Sequence, residues 1–247
     1  MIDAIYCNSL ERLAERRRNS IKNLDPLSSK YPVFFHDALD WETIDFSYYE
    51  KQGFNIYPDW KYPRFFNQDL ISESSLYWWN APLSMGSMCN VLGHYSIWKH
   101  ALSSGFSNVL ILEDDCIFSL DDMLFALKRY SDKYKYDCDI FYLGCWPVFN
   151  SRIDVIDEYV ERVYHAHNTH SYIVNEVALN RLLNGGLKEN MIVIDEYVSV
   201  SHSDIKHPRV DLEDIYNLEK KLVAYKTKND VAGQDEYSEN RNSKYVD

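Results

Sequence analysis

The sequence predicts an α/β sandwich built on a mixed, largely parallel central sheet. Short apolar runs alternate with stretches of helical periodicity, the pattern of strand–helix units packed in layers. Two of the apolar runs, Val109–Leu112 and Met191–Ile194, stop abruptly at acids, Glu113-Asp114-Asp115 and Asp195-Glu196. No internal repeat divides the 247 residues, a length that suits one large α/β domain or two small ones.

Taken in order, Ala4–Cys7 is a first strand that runs through Asn8-Ser9 into a loop or helix start. Glu11–Asn23 reads as a helix, with Leu13, Arg17 and Ile21 four residues apart. It carries Arg16-Arg17-Arg18, either a solvated face or an early basic group for a phosphate. Tyr31–His36 is a second strand, closed by Asp37-Ala38. Residues 40–80 are irregular, broken by Gly, Pro and Asn. They also hold Trp41, Tyr48, Tyr49, Phe54, Trp60, Tyr62, Trp78 and Trp79. So many aromatics argue against disorder, and a long irregular segment inside a domain is usually functional. A structured excursion beside the cleft is expected.

Leu83–Ser104 is helical after Pro82, with a core stripe of Met88, Val91, Leu92, Tyr95 and Trp98, and Gly105 suits a left-handed cap. Val109–Leu112 is a strand covered on both faces. Leu120–Tyr130 is a helix opened by Asp121-Asp122. Asp139–Gly144 and Thr169–Val174 are strand-like, Glu176–Leu183 is helical, and Asn184-Gly185-Gly186 stops it. Met191–Ile194 is the second apolar run that ends in acids. The extension at 211–247 is polar, and its end is expected to wrap the surface or order on a ligand.

The net charge of -12 disfavours a general grip on nucleic acid or anionic membrane. Asp3 and the charged run Glu11–Arg18 interrupt any signal-peptide core, and no apolar segment nears the ~20 residues of a membrane span. Cys7, Cys89, Cys116, Cys138 and Cys145 are odd in number and lack metal-ligand spacing. They read as reduced, mostly buried thiols of a cytoplasmic protein. The 20 Tyr and 6 Trp fill a core and also suit a surface that meets polar ligands such as sugars.

Three carboxylates after a buried strand repel one another unless a cation or solvent screens them. At the carboxyl end of a central strand such a cluster lies where open α/β sheets bind ligands. A divalent-metal site for a nucleotide diphosphate and a solvated turn that caps the next helix stand level on this pattern alone.

Several segments together resemble glycosyltransferase family 25. Ser9-Leu10 with Glu15-Arg16-Arg17 matches its S-L-x-x-x-x-E-R-R opening. Pro82–Gly86 through Leu92-Gly93-His94 and Trp98 matches its L-S-x-G-E-I-G-C-x-L-S-H-x-x-x-W block. Leu110–Asp115 is its I-L-E-D-D, and Tyr142-Leu143-Gly144 its Y-L-G. His170–Val174 with Ala178 and Leu182-Leu183 matches H-A-Y-I-I then A-x-x-L-L, and Ile194–Val198 resembles P-V-D-E-F-L.

The resemblance implies a GT-A fold, one Rossmann-like domain over 1–247 that takes a nucleotide-diphosphate sugar, a UDP-sugar above all. It implies a divalent cation, manganese or else magnesium, on Asp115 and Asp114, with Asp230 as an oxygen ligand from the weakly matched Asn229–Gly233 segment. Asn8, Ser9, Leu10, Arg12, Arg16, His94, Glu113, Asp114 and His170 are then expected to bind substrate. Asp195, with Glu196 next in line, is expected to be the base of an inverting transfer; helix capping is the plainer role for either acid. The acceptor would be a lipopolysaccharide or capsule sugar, or a protein hydroxyl; the acidic charge disfavours a hydroxylated DNA base. One departure stands out: Ser87 occupies the place of the family's glutamate, which leaves a catalytically silent carbohydrate- or nucleotide-binding protein as the alternative.

Overall fold

The structure, a computed structural model, describes residues 1–58, 84–147, 151–203, 215–216 and 221–235. The later part of the aromatic excursion, including Trp60, Tyr62, Trp78 and Trp79, lies outside the described residues, as do Pro82-Leu83 and most of the 211–247 extension.

The chain opens with β1 (Ala4–Ser9), α1 (Ala14–Ser28) and β2 (Val33–Asp37), then α2 (Phe46–Lys51). Next come α3 (Met85–Ser103), β3 (Asn108–Glu113), β4 (Cys116–Phe118) and α4 (Leu120–Arg129), which continues into a π-helical turn, Tyr130–Tyr134. β5 (Ile140–Tyr142), β6 (Trp146–Pro147), β7 (Ile153–Val155), β8 (Val160–Val163), β9 (Ala166–His167) and β10 (Ser171–Asn175) follow. α5 (Glu176–Asn184), α6 (Ile194–His202), β11 (Ala224–Thr227) and β12 (Ala232–Gln234) complete the described elements.

Eight strands form one sheet in the order β2-β1-β3-β10-β5-β11-β8-β7. β1 pairs in parallel with β2 and β3, the right arrangement for a strand–helix–strand start. β10 is antiparallel to both β3 and β5, and β8 is antiparallel to β11 and β7, so these two strands run against the other six. The sandwich with a mixed, largely parallel sheet is therefore observed. Period-2 alternation assigns the side chains to two cores. Tyr6, Val109, Ile111, Tyr172 and Val174 pack under α3, α5 and α6. Ile5, Cys7, Leu110, Leu112 and Ile173 pack with Leu24 and Leu27 of α1 and Met123 and Leu127 of α4.

Some elements depart from expectation. α1 starts at Ala14 and runs on to Ser28, with Pro26 in its last turn. The run Met191–Ile194 is not a strand. Met191 makes a single bridge to Ile56, and Ile194 opens α6, so Asp195 and Glu196 fall in a helix's first turn. Carboxylates there face the positive end of the helix dipole. α3 ends at Gly105, which takes φ +76 as a left-handed cap requires. All five cysteines are buried and unpaired. No helix among the described residues is long and apolar enough to cross a membrane.

Candidate active site

The carboxyl ends of β1, β2 and β3 border a cleft of about 150 Å³, lined by Asn8, Leu10, Arg16, Asn90, Glu113 and Asp114 among others. Asp114 and Asp115 turn the chain from β3 into β4. The Leu10 N–H donates to Asp114 Oδ2 at 3.1 Å, and the Ser20 hydroxyl donates to the Asp114 carbonyl at 3.0 Å. The wholly buried Ser9 hydroxyl also faces the Asp114 carboxyl. Arg16 Nη2 bridges the pair, 2.5 Å from Asp114 Oδ1 and 3.1 Å from Asp115 Oδ2. Burial pushes the Asp114 pKa above the usual carboxylate value, and Arg16 opposes that shift. Two carboxylates that converge on one guanidinium mark a place where positive charge is held. Their all-oxygen donor set is of the kind that suits a hard divalent cation.

Glu113 turns away from this pair into a buried network. Its Oε1 accepts from Asn90 Nδ2 at 3.1 Å, and Asn90 Oδ1 in turn accepts from Asn8 Nδ2 at 3.2 Å. His94 Nε2 lies 3.2 Å from the same oxygen, and His94 Nδ1 lies 2.7 Å from the Tyr172 hydroxyl. The Trp98 indole, which can only donate, gives its N–H to that hydroxyl at 3.0 Å. The Tyr172 proton is then directed to Nδ1, which assigns the His94 proton to Nε2, donating to Glu113. Burial alone would raise the Glu113 pKa, but His94 and Asn90 pull it well below the usual value and hold it ionised. His94 thus serves the buried carboxylate rather than the open cleft.

Thr169 joins this network to α6. Its hydroxyl lies 2.7 Å from Asp195 Oδ1 and 3.3 Å from Glu113 Oε1. One proton cannot serve both oxygens. Burial, then the charge of Glu113, raises the Asp195 pKa. Of the two carboxyls Asp195 has the higher proton affinity, and the shorter 2.7 Å contact is the one to which the Thr169 hydroxyl donates. Asn168, the one non-glycine residue with positive φ (76°) among the described residues, precedes Thr169 and puts its N–H on Asp195. Glu196 points elsewhere: 2% exposed, it lies 2.5 Å from His167 Nε2 and 3.4 Å from His165 Nε2. Burial would depress His167, but the neighbouring Glu196 raises its pKa.

The remaining expected residues are scattered. His170 Nε2 donates to the Ala232 carbonyl at 3.1 Å, while its own carbonyl accepts from the Glu113 N–H at 2.9 Å. His170 thereby pins the β12 segment next to β3. Arg12 leans outward onto Asp40, with Nε 2.7 Å from Oδ2, and onto Glu42. Asp230 does not join Asp114 and Asp115. It sits 3.5 Å from Lys226 Nζ and lines a separate cavity under α4 with Arg129 and Tyr159. The antiparallel β12–β4 register, Gln234 opposite Cys116, instead carries Asp235 to Asp115, where its N–H donates to the Asp115 carbonyl at 2.8 Å. Ser87 has a structural role. Ser84 caps α3 by accepting the Ser87 N–H at 3.0 Å, and the two hydroxyls lie 2.9 Å apart. Ser87 is the third residue of the helix, the place of the acid in a capping box, so a serine here changes a cap. Asn90, Thr169 and Tyr172 were not read from the sequence as site residues. Their only signal there is a polar group inside or beside a matched motif.

An open α/β sheet with a carboxylate-lined cleft at the ends of its parallel strands has the ligand-binding layout of Rossmann-like proteins. The sequence profile of Glycosyltransferase family 25 (LPS biosynthesis protein) matches residues 2–198, and the chain belongs to that family. It is 25% identical over 220 residues to procollagen galactosyltransferase 1-A of Xenopus laevis, which covers 85% of this chain and 32% of that protein. It is 25% identical over 242 residues to inactive glycosyltransferase 25 family member 3 of Mus musculus, 96% of this chain and 37% of that protein. A procollagen lysyl hydroxylase and glycosyltransferase of Acanthamoeba polyphaga mimivirus is 24% identical over 128 residues, 49% of this chain and 14% of that one. The chain thus spans about a third or less of each of these relatives.

Proposed function

We propose that the chain is a metal-dependent, inverting glycosyltransferase. It would move a sugar from a nucleotide-diphosphate donor, a uridine diphosphate sugar first, to an acceptor hydroxyl on a glycan (a lipopolysaccharide or capsule sugar among them) or a protein. The observation that carries this reading is the pairing of differently charged carboxyls across one hydroxyl. Glu113 is held ionised and Asp195 is raised, 3.3 Å and 2.7 Å from Thr169 Oγ1. Two carboxyls whose environments push their pKa values apart are the mark of acid–base work.

In this reading Asn8, Leu10 and Arg16 line the donor cleft, with Arg16 the basic group nearest the diphosphate. Asp114 and Asp115 would hold a divalent cation, which would supply Lewis-acid stabilisation of the charge on the departing diphosphate. Asp195 takes the proton of the acceptor hydroxyl as general base. Thr169 orients its carboxylate, and the Glu113 charge keeps its proton affinity high. Glu196, enclosed by two imidazoles, is not given that role. The five unpaired thiols fit a reducing compartment. Ser87 sits in the cap that Ser84 makes on α3, which gives the serine a structural role there.

The test combines binding with transfer. Uridine, guanosine and cytidine diphosphates are screened by thermal shift with manganese present, and one should stabilise the protein. Asp195→Asn should keep that shift and lose roughly 10²–10⁴-fold in transfer. Unchanged transfer would remove Asp195 as the base. No stabilisation by any nucleotide would favour the silent reading.

A further inference from the structure

The geometry points to a second cation site, built from His165, His167 and Glu196, that takes a borderline transition metal such as zinc rather than the hard cation suited to Asp114 and Asp115. The three side chains each offer one ligand atom, and these atoms lie within 4.8 Å of one another. The two imidazoles converge through Nε2 on opposite oxygens of one carboxylate, His165 at 3.4 Å from Oε2 and His167 at 2.5 Å from Oε1. Four-coordinate zinc, with bonds of about 2.0–2.1 Å, separates neighbouring ligand atoms by roughly 3.3 Å. The His165 separation already meets this, and His167 needs to retreat by less than about 1 Å.

The surroundings are those of a built site. The His165 and His167 rings flank Ala166 with centroids 5.6 Å apart and planes at 75°. Glu196 comes from the first turn of α6, and Ser199 of α6 straps the two elements together. The Ser199 hydroxyl donates to the Ala166 carbonyl and accepts the Ala166 N–H at 3.3 Å. His165 Nδ1 lies 3.1 Å from the Ser203 hydroxyl. In the tautomer whose Nδ1–H donates there, Nε2 is left to bind a metal beside Glu196, the orientation that outer-shell partners impose on metal-bound imidazoles. His165 and Glu196 are fully enclosed, whereas the His167 side chain keeps 13% of its surface exposed and provides the way in. Two nitrogens and one carboxylate leave a fourth position for water and select zinc over magnesium or manganese. The metal would tie β9 to the start of α6, next to Asp195.

The experiment uses the full chain carrying Asp115→Asn, which weakens the acid pair, and needs no activity. After chelator treatment, zinc loading and gel filtration, about one zinc per chain should remain, measured by mass spectrometry. Cobalt should give the intense visible bands of a four-coordinate N/O site. Retention should fall at least tenfold in Glu196→Gln and in His167→Gln, with circular dichroism reporting whether each variant is folded. Long-range ¹H–¹⁵N spectra of the unsubstituted protein give a variant-free check: zinc should shift the Nε2 resonances of two histidines. No retained zinc, equal retention in folded variants, or unmoved imidazole resonances would overturn the proposal and leave the cluster a protonated histidine–glutamate pair. None of these readouts depends on glycosyl transfer, so failure here and failure of the proposed function are separate results.

Discussion

Replacing Arg16 by glutamine separates two jobs that the guanidinium does at the acid pair. Nη2 lies 2.5 Å from Asp114 and 3.1 Å from Asp115, and its side chain is 21% exposed against 7% and 12% for the acids. Hydrogen bonds to charged groups are worth about 1.5–3 kcal/mol net, and the residual exposure argues for the lower half, so ~2 kcal/mol is a fair figure. Without metal the variant should unfold roughly 4–8 °C lower, at the ~2–4 °C per kcal/mol of a chain this size. A cation that binds the two carboxylates of the unsubstituted protein must displace Arg16 and forfeit that ~2 kcal/mol. In Arg16→Gln this competition is gone, and manganese should bind on the order of 30-fold tighter. Nucleotide diphosphate should bind more weakly, because the cleft has lost its basic group. Opposite signs for the two ligands are the signature. Isothermal titration with manganese, then with nucleotide at saturating manganese, reads both. Manganese affinity that falls or stays level in the variant would refute the idea that Arg16 occupies the cation's place.

Three further outcomes follow from the geometry. Gly144→Ala would put a methyl group 1.9 Å from the Ala232 carbonyl oxygen and 2.9 Å from His170 Nε2, so the β12 segment must move off Leu143. A loss of about 3 kcal/mol or more is expected, a fall in Tm of roughly 6–12 °C, and a change under about 2 °C would show that the segment yields freely. Thr169→Val keeps the shape but removes the hydroxyl that lies between Glu113 and Asp195; kcat should drop about 10–100-fold while nucleotide binding holds, and Thr169→Ser should restore most of it. Burial pushes the Cys89 thiol up to about 12 from 9.0. A raised thiol pKa adds stability that is full below the unfolded value and is lost as pH rises from about 9 towards 12. Native Cys89 should react with thiol reagents at pH 8 on the order of 10³-fold more slowly than in the unfolded chain, and equal rates would contradict its burial.

The parts of this fold that were legible are those buried on both faces. Val109–Leu112 and Ile5–Cys7 show as unbroken apolar runs because neither face of the sheet meets water. The two-residue strands Trp146–Pro147 and Ala166–His167 carry no such pattern, since their pairing is fixed by tertiary contacts. Met191–Ile194 is misleading because four apolar residues read alike as a strand or as the approach to a buried helix. The acids of β3 were legible as a cluster, but their division was not. Glu113 ends a strand with its side chain among Asn90, His94 and Thr169, while Asp114 and Asp115 lie in the turn against Arg16. Asp230 was the wrong partner for Asp115 because the choice rests on the β12–β4 register, which brings residue 235 to residue 115. Pairing register is a property of two distant segments, and neither one displays it alone.

The consecutive acids Asp195 and Glu196 show how one helix turn supports two chemistries. Neighbours on a helix point about 100° apart, so a sequence pair does not make a structural pair. Asp195 meets a hydroxyl and, through it, an ionised carboxylate, surroundings that favour a proton. Glu196 meets two imidazoles, surroundings that favour a cation shared between nitrogen and oxygen. Both acids sit at the positive end of α6, which eases the cost of placing two carboxyls together. A single Asp195-Glu196 exchange would therefore be far from conservative. The longer glutamate would collide with the Thr169 hydroxyl, and the shorter aspartate would fall about 1.5 Å short of the histidines. The reach of each acid is set by Thr169 on one side and by His165 and His167 on the other, so the double exchange, which preserves charge while changing both reaches, should damage both sites at once.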